Sequence, residues 1–201
     1  MTSHYLDCRL TVEPDDYNFM FARLYKVAHG VIGKNSARNI GLSFPEYDDG
    51  RLGEIVRFFA DEQTLNSVKQ KEGLSVLQDC RIIRICDIKK TPEKYQSVCF
   101  YRNRLNERLS TKNKSKRHKA LKQHIEKKGL VFNSGDEQQR LEKLQQQVNS
   151  NAQYIRFQSG SNSFPYSLSI NKSASRERQE GTYNSHGLSS KDNGATVPFG
   201  F

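Results

Sequence analysis

One histidine near the end of the first amphipathic segment has a position that suits acid–base chemistry. The stretch LYKVAHGVIG spans residues 24–33, and its apolar residues recur at the spacing of an α-helix. At about 100° per residue, His29 lies about 140° from Leu24 and therefore outside the apolar stripe of this helix. An imidazole there could exchange a proton with a substrate, whereas the plainer alternative is an inert surface histidine.

A strongly basic segment in the middle of the chain indicates what such a histidine would act on. The protein has 201 residues and a formal net charge of +10. Residues 102–128 hold 11 of its 32 Lys and Arg residues but only two acidic residues. A concentrated cationic segment on an otherwise neutral chain is typical of a polyanion-binding site and favours nucleic acid as the partner. A solvated lysine-rich helix is the alternative.

The basic segment predicts a helix over about 107–128 that ends before Gly129. From Lys112 to Lys119 its cations span about 10 Å at about 1.5 Å per residue, which suits contacts to successive phosphates along a groove. Arg102 and Arg104 precede this helix and are better suited to base recognition, because a guanidinium fork fits the O6/N7 edge of guanine. The cations predicted to share the RNA-facing side are Arg108, Lys112, Lys116, Lys119 and Lys122.

Several function classes find no support in the sequence. No run approaches the ~18 apolar residues of a membrane span. The first ten residues include Asp7 and Arg9, so we expect no secretion signal. The four cysteines form no CxxC pair, which argues against a zinc site or disulfide framework and favours a reducing cytoplasm. No acidic spacing, phosphate loop or Ser-His-Asp order predicts a metal or cofactor. If the chain cleaves RNA, the available route is metal-independent: a histidine accepts the proton of the RNA 2′-hydroxyl.

The elements that must position His29 read as β-α-β-β-α-β in the first half of the chain. Residues 4–12 alternate between apolar and polar side chains, as in a half-buried strand. A helix begins after an aspartate that can cap it, and strands, one helix and a last strand follow. This order predicts a ferredoxin-like, RRM-like α+β domain. The later elements are predicted at 38–47, 54–60, 62–71 and 80–88. The usual aromatic RNA-stacking consensus of such modules is not evident in these strands.

Thr91-Pro92 is the predicted hinge to a smaller α/β domain, which divides the chain into residues 1–92 and 93–201. A strand at 95–104 would lead into the basic helix, and residues 135–147 predict a short polar helix. Residues 153–170 resemble a hairpin with its turn at 160–163. The apolar tail ATVPFGF at 195–201 is expected to pack against the protein rather than extend into solvent.

Short stretches in a fixed order resemble the CRISPR-associated endoribonucleases that process precursor guide RNA in type I-F systems, the Csy-four or Cas-six-f branch. The resemblance covers most of the chain and is strongest in 4–60 and 181–201. The stretches are HYLDCRL at 4–10, LYKVAHGVIG at 24–33, NIGLSFP at 39–45, RLGEIVRF at 51–58, SHGLS at 185–189 and VPFGF at 197–201.

The resemblance implies a metal-independent enzyme of the prokaryotic cytoplasm. Such enzymes recognise the sequence and structure of a CRISPR repeat hairpin, cut at the 3′ base of its stem and leave a 2′,3′-cyclic phosphate. They usually remain on the crRNA hairpin beside the backbone subunits of the type I-F surveillance (Cascade-like) complex. A non-catalytic hairpin-binding subunit of that complex is the alternative.

The family's site residues can be carried over by position. His29 corresponds to the histidine that activates the 2′-hydroxyl, and Arg102, with Arg104 beside it, corresponds to the arginine before the groove helix. That helix corresponds to Lys112–Lys122, with lysine replacing much of the family's arginine. Its register is open, because Lys116-Arg117-His118 and Lys122-Gln123-His124 both resemble the family's RRH motif.

Departures from the family pattern leave the partner of His29 open. In RFQS at 156–159, Phe157 stands where the family has its site serine, and Ser159 lies on the same side of the strand. His186 stands where the family often has tyrosine. The partner of His29 is therefore Ser159, His186 or neither. The aromatic residue that the family stacks on RNA after its hairpin turn corresponds to Phe164.

Overall fold

The computed structural model of the protein describes residues 3–34, 38–104, 107, 119, 123, 139, 153–158, 165–175, 177–189 and 194–201. A 3₁₀ turn at Pro14–Asp16 precedes the first helix. The elements in chain order are β1 (His4–Leu10), α1 (Tyr17–Gly33), β2 (Gly41–Ser43), β3 (Ile55–Ala60), α2 (Glu62–Lys69), α3 (Glu72–Asp79), β4 (Ile83–Ile85), β5 (Lys89–Lys90), β6 (Gln96–Arg102), β7 (Tyr154–Gln158), β8 (Pro165–Ala174) and β9 (Val197–Phe199).

The first sheet is antiparallel and has β1 at its centre. Its strand order is β2-β3-β1-β4, and β5 also pairs with β1. Cys8 faces Val56 on one side and Ile85 on the other. Leu6, Cys8 and Leu10 are buried, as the alternation predicted. The strand thus buries one face against the helices, because successive side chains point to opposite sides of a strand.

The helix predicted at 62–71 is confirmed as α2, but a second short helix, α3, follows it and was not predicted. The Asp61 side chain accepts a hydrogen bond from the backbone N–H of Thr64 and so caps α2. In α3, Leu74 and Leu77 are buried at a spacing of three residues, a pattern too short to be distinguished from a strand by sequence. The predicted strand at 80–88 is correspondingly reduced to β4.

The second sheet is built from the later part of the chain and has the order β7-β8-β6-β9. The predicted hairpin is confirmed in its two strands, since β7 pairs with β8 with Ile155 opposite Leu168. Its turn lies outside the described residues. The C-terminal strand β9 pairs with β6, so the tail is packed, as predicted. With two antiparallel sheets and three described α-helices, the predicted α+β class is confirmed.

A buried aromatic cluster joins the two sheets. Phe44, just after β2, contacts Phe100 of β6 edge to face with ring centroids 5.1 Å apart. Tyr25 of α1 contacts Phe157 of β7 at 5.6 Å. All these rings are buried, and such aromatic pairs stabilise a core beyond the area that they bury. The helix that carries His29 is thus fixed against both sheets. No described helix is long and apolar enough to cross a lipid bilayer.

A buried arginine ties the C-terminal residue to the opposite face of the first sheet. Arg57 donates from Nε and Nη2 to the carboxylate of Asp7 at 2.7 and 2.9 Å and from Nη1 to the carbonyl of Phe201 at 3.1 Å. Its guanidinium carbon lies 4.3 Å from the centroid of the Tyr5 ring and 4.5 Å from that of the Phe201 ring. Burial of this charge is tolerated because it is paired and hydrogen-bonded.

We predict that Asp7→Asn lowers the free energy of unfolding by about 3 kcal/mol, because breaking a buried pair leaves the Arg57 charge uncompensated. Urea unfolding monitored by circular dichroism measures the change. Glu54→Gln is the matched control: it removes the acid of the exposed Arg9–Glu54 pair and should cost less than about 1 kcal/mol. Equal losses in the two variants would contradict the assignment of Arg57 as a buried anchor.

Candidate active site

Two histidines that are far apart in the sequence lie against each other. The ring of His29 stacks on the ring of His186 with centroids 4.1 Å apart and an angle of 10° between the planes. Both side chains are half-buried. The structure therefore brings together two of the three residues that the sequence proposed for chemistry. The third, Ser159, lies outside the described residues.

The orientation of the His29 ring defines which nitrogen can act as a base. Tyr25, Ala28 and Ile32 bury the other side of α1 and fix the helix in place. His29 Nδ1 lies 2.6 Å from the carbonyl oxygen of Ser185. A carbonyl can only accept a hydrogen bond, so Nδ1 carries the proton. In the neutral ring, Nε2 is then the nitrogen with a free electron pair and can accept a proton from a substrate.

A tight turn over residues 184–188 presents His186. The Asn184 side chain accepts from the backbone N–H groups of His186, at 2.8 Å, and Leu188, at 3.2 Å. Gly187 has a φ of +69°, which glycine adopts without strain. Its carbonyl accepts from the backbone N–H of Leu42 in β2 at 2.7 Å. The turn is therefore fixed both internally and against the first sheet, and this fixes the position of His186.

His186 is held in the neutral form at physiological pH. Burial, then the charge of His29 and that of Arg102, lower the pKa of His186 from 6.5 to about 4. Its Nδ1 is buried and has no hydrogen-bond partner among the residues that the structure describes. The Tyr25 ring lies nearly parallel to it at 6.1 Å, and Tyr25 Oη donates to the His186 carbonyl at 3.3 Å. His186 therefore offers a flat neutral ring to His29 rather than a second positive charge.

Arg102 lies at the end of β6, one residue after Tyr101, which forms a β-bridge with Ser189, and its charge contributes to lowering the pKa of His186. It donates from Nε to Glu107 Oε1 at 2.8 Å and from Nη2 to Glu107 Oε2 at 2.7 Å. Arg104 and Lys119 are exposed. The remaining residues proposed for RNA binding lie outside the described residues: Arg108, Lys112, Lys116, Arg117, Lys122 and Phe164.

Phe157 is a core residue. Its side chain is 7% exposed and packs on Tyr25, on the inner face of β7, while Arg156 is exposed on the outer face. The aromatic ring at the position of the family's serine thus supports the helix of His29 instead of facing solvent.

Sequence reasoning missed several residues around the pair. Tyr25 is buried on α1 and follows Phe21 at a spacing of four residues, which is the signal in the sequence that could have identified it. Ser185 and Asn184 act through a backbone carbonyl and a turn, which no motif marks. Glu107 was counted only as an acid in a basic segment. No three His, Cys, Asp or Glu side chains form a candidate metal site within the described ranges.

We predict that His186 makes the stability of the protein decrease at acidic pH. Between pH 6.5 and about 4, the unfolded chain binds a proton at His186 that the folded chain does not. The free energy of unfolding therefore decreases as the pH falls through this window. Urea unfolding measured at several pH values between 6.5 and about 4 should show a smaller decrease of the free energy of unfolding in His186→Phe than in the wild type, because phenylalanine keeps a ring but does not titrate. The control is His4→Phe on β1; a slope unchanged by His186→Phe would contradict the prediction.

We also predict opposite effects for two glycines that each follow one of the histidines. A Cβ at Gly187 would lie 2.7 Å from Leu42 Cγ and 2.8 Å from Ile32 Cδ1 at a positive φ, so Gly187→Ala should destabilise by about 2 kcal/mol. A Cβ at Gly30 meets nothing within 4 Å, so Gly30→Ala should stabilise α1 by about 1 kcal/mol. Thermal and urea unfolding measure both changes, and destabilisation by both would contradict this description of the turn.

The chain matches a protein-family model over nearly its whole length. Residues 5–199 match the model described as CRISPR-associated protein (Cas_Csy4). The matched range includes both sheets, both histidines and the basic segment.

Proposed function

The chain belongs to the CRISPR-associated Cas_Csy4 family, and from this premise we propose that it is a metal-independent endoribonuclease that generates crRNA. It cleaves CRISPR repeat RNA at the 3′ base of the repeat hairpin and leaves a 2′,3′-cyclic phosphate. It then remains bound to the crRNA hairpin within the type I-F surveillance (Cascade-like) complex. Family membership supports crRNA processing and RNA cleavage in general, and the finer statements are our proposal.

The observation that carries the proposal is the hydrogen bond between His29 Nδ1 and the Ser185 carbonyl, which leaves Nε2 as the basic nitrogen. Nε2 accepts the proton of the 2′-hydroxyl, the 2′-oxygen attacks the neighbouring phosphorus, and the bond from phosphorus to the 5′-oxygen breaks as that oxygen takes up a proton from water and leaves as a 5′-hydroxyl. The stacked neutral ring of His186 keeps the resulting imidazolium in place. Arg102 supplies positive charge where the phosphate gains negative charge.

The low pKa of His186 gives it a positioning role rather than that of an acid that delivers a proton at neutral pH. Ser159, which lies outside the described residues, remains the other candidate partner of His29 in the reaction. Both assignments are proposals, and His29 is the proposed base in either case.

We further propose that residues 1–92 form a ferredoxin-like domain and residues 93–201 an RNA-binding domain. The strand order β2-β3-β1-β4 supports the first, and the origin of all four strands of the second sheet after residue 93 supports the second. The basic helix about 107–128 would occupy the RNA groove. The proposed RNA contacts are Arg102, Arg104, Arg108, Lys112, Lys116, Arg117, Lys119, Lys122 and Phe164.

The second candidate function is a hairpin-binding subunit that does not cut. The observation that favours it is that Phe157, which stands where the resemblance places a serine, is buried in the core and offers no hydroxyl group to the site. Both functions require hairpin binding, so only the chemical step separates them.

We predict that the protein cleaves a synthetic CRISPR-repeat hairpin in the presence of EDTA. A copy with a 2′-deoxy nucleotide at the scission point should remain intact, because the attacking oxygen is missing. His29→Ala should slow single-turnover cleavage by ~100-fold or more, as expected for loss of a general base, with affinity within a few-fold.

His4→Ala is the control, since it removes a histidine on β1 remote from the pair. Tight binding of an RNA that stays intact would contradict the endoribonuclease proposal and favour the hairpin-binding subunit that does not cut. Loss of binding and cleavage together in His29→Ala would show that the residue is structural.

A further inference from the structure

An acidic residue lies inside the segment that carries most of the positive charge of the protein. Glu107 is one of two acids among residues 102–128. A carboxylate beside an RNA-binding surface repels phosphates and opposes the release of counterions that drives binding. Its side chain is nevertheless 11% exposed, compared with 32% for that of Arg102. The more buried member of the pair is thus the acid.

The contacts of Glu107 explain this burial. Both carboxylate oxygens accept hydrogen bonds from Arg102, over distances of 2.7 to 3.0 Å. Oε1 also accepts from the backbone N–H of Ser169 in β8 at 3.2 Å. Charge-assisted, forked contacts of this kind are stronger and more directional than an ordinary surface ion pair.

Ser169 of β8 also fixes the backbone next to Arg102. The Ser169 carbonyl accepts from the backbone N–H of Asn103 at 2.8 Å, and Arg102 is paired with Ile170. Ser169 is fully buried. Arg102 is therefore fixed at its Cα by the strand pairing and at its guanidinium by a carboxylate that is itself anchored to β8.

We propose that Glu107 is a positioning residue that holds the guanidinium of Arg102 toward the RNA and the histidine pair before RNA binds. This inference rests on the proposed function, since it names a further residue of the same site. A free arginine side chain loses up to ~2 kcal/mol of rotamer entropy when it is immobilised, and Glu107 lowers this cost by immobilising it in advance.

Glu107 would orient the Arg102 side chain through hydrogen bonds, in the same way that carboxylates orient metal-binding histidines in other proteins. On β7, burial and then the charge of Glu107 raise the pKa of Tyr154. The direct contacts of Glu107 are to Arg102 of β6 and to the backbone of Ser169 in β8.

The test is the affinity for the synthetic repeat hairpin at matched salt. Glu107→Gln keeps the shape of the side chain and removes one negative charge, so the net charge of the protein rises by one. Non-specific electrostatic attraction alone would therefore predict tighter RNA binding. The positioning role predicts the opposite, a loss of about threefold to tenfold, because a glutamine amide carries no charge and only one acceptor oxygen, so the forked ion pair with Arg102 Nε and Nη2 is lost. Glu180→Gln, which removes the acid of the exposed Arg178–Glu180 pair, is the matched control and should not weaken binding.

A double-mutant cycle separates positioning from a merely structural role. In an Arg102→Ala background, Glu107→Gln should change the affinity by less than about twofold, because its effect passes through Arg102. An equal loss in both backgrounds would overturn the proposal, as would unchanged or tighter binding by Glu107→Gln alone.

The RNA-free protein provides a readout that is independent of cleavage and binding. In ¹H–¹⁵N spectra, the Nε–Hε signal of Arg102 should be protected from solvent exchange in the wild type and lose protection in Glu107→Gln. Equal protection in the two proteins would overturn the proposal. If the wild type failed to bind the hairpin, the proposed function would fail, while this measurement would still decide whether Glu107 holds Arg102.

Discussion

The stacked histidine pair depends on one constraint, the return of the chain near its C-terminus to the edge of the first sheet. The Leu42 N–H donates to the Gly187 carbonyl, and this backbone bond fixes the turn that carries both His186 and the Ser185 carbonyl. Without the turn, His29 would lose the group that selects its tautomer and the ring that covers its face. The catalytic geometry that we propose is therefore a property of the fold rather than of the helix alone.

Burial and charge act on the two histidines in different ways because of this arrangement. The turn places His186 between protein elements, where burial and two neighbouring groups that can carry positive charge disfavour its protonation. His29 lies on the outer side of α1 with its Nδ1 bound to a carbonyl. Two chemically identical rings in contact thus have different surroundings, which suit the roles that we propose for them: His29 as proton acceptor and His186 as neutral support.

The sequence predicted the elements whose apolar periodicity extends over many residues. It did not predict all of the short elements or the contacts between residues far apart in the chain. The alternation in β1 and the helical spacing in α1 predicted the buried faces, because both patterns persist for many residues. The pattern of α3 was too short, and the strand at 80–88 was overextended. His29 could be singled out because it departs from its stripe, whereas its contact with His186 was available only as one of several alternatives, since residues 157 positions apart show no periodicity.

The least predictable part of the site is the network of backbone groups and acids behind the functional side chains. Ser185 acts through its carbonyl and Ser169 through its N–H, so their residue types carry no signal. Glu107 does carry a signal in retrospect, because a buried carboxylate among cations needs a partner, and Arg102 lies five residues before it. A basic segment that binds RNA gains affinity from its charge but not the orientation of any one guanidinium. We propose that Glu107 supplies that orientation for Arg102, and its hydrogen bond from Ser169 connects it to β8.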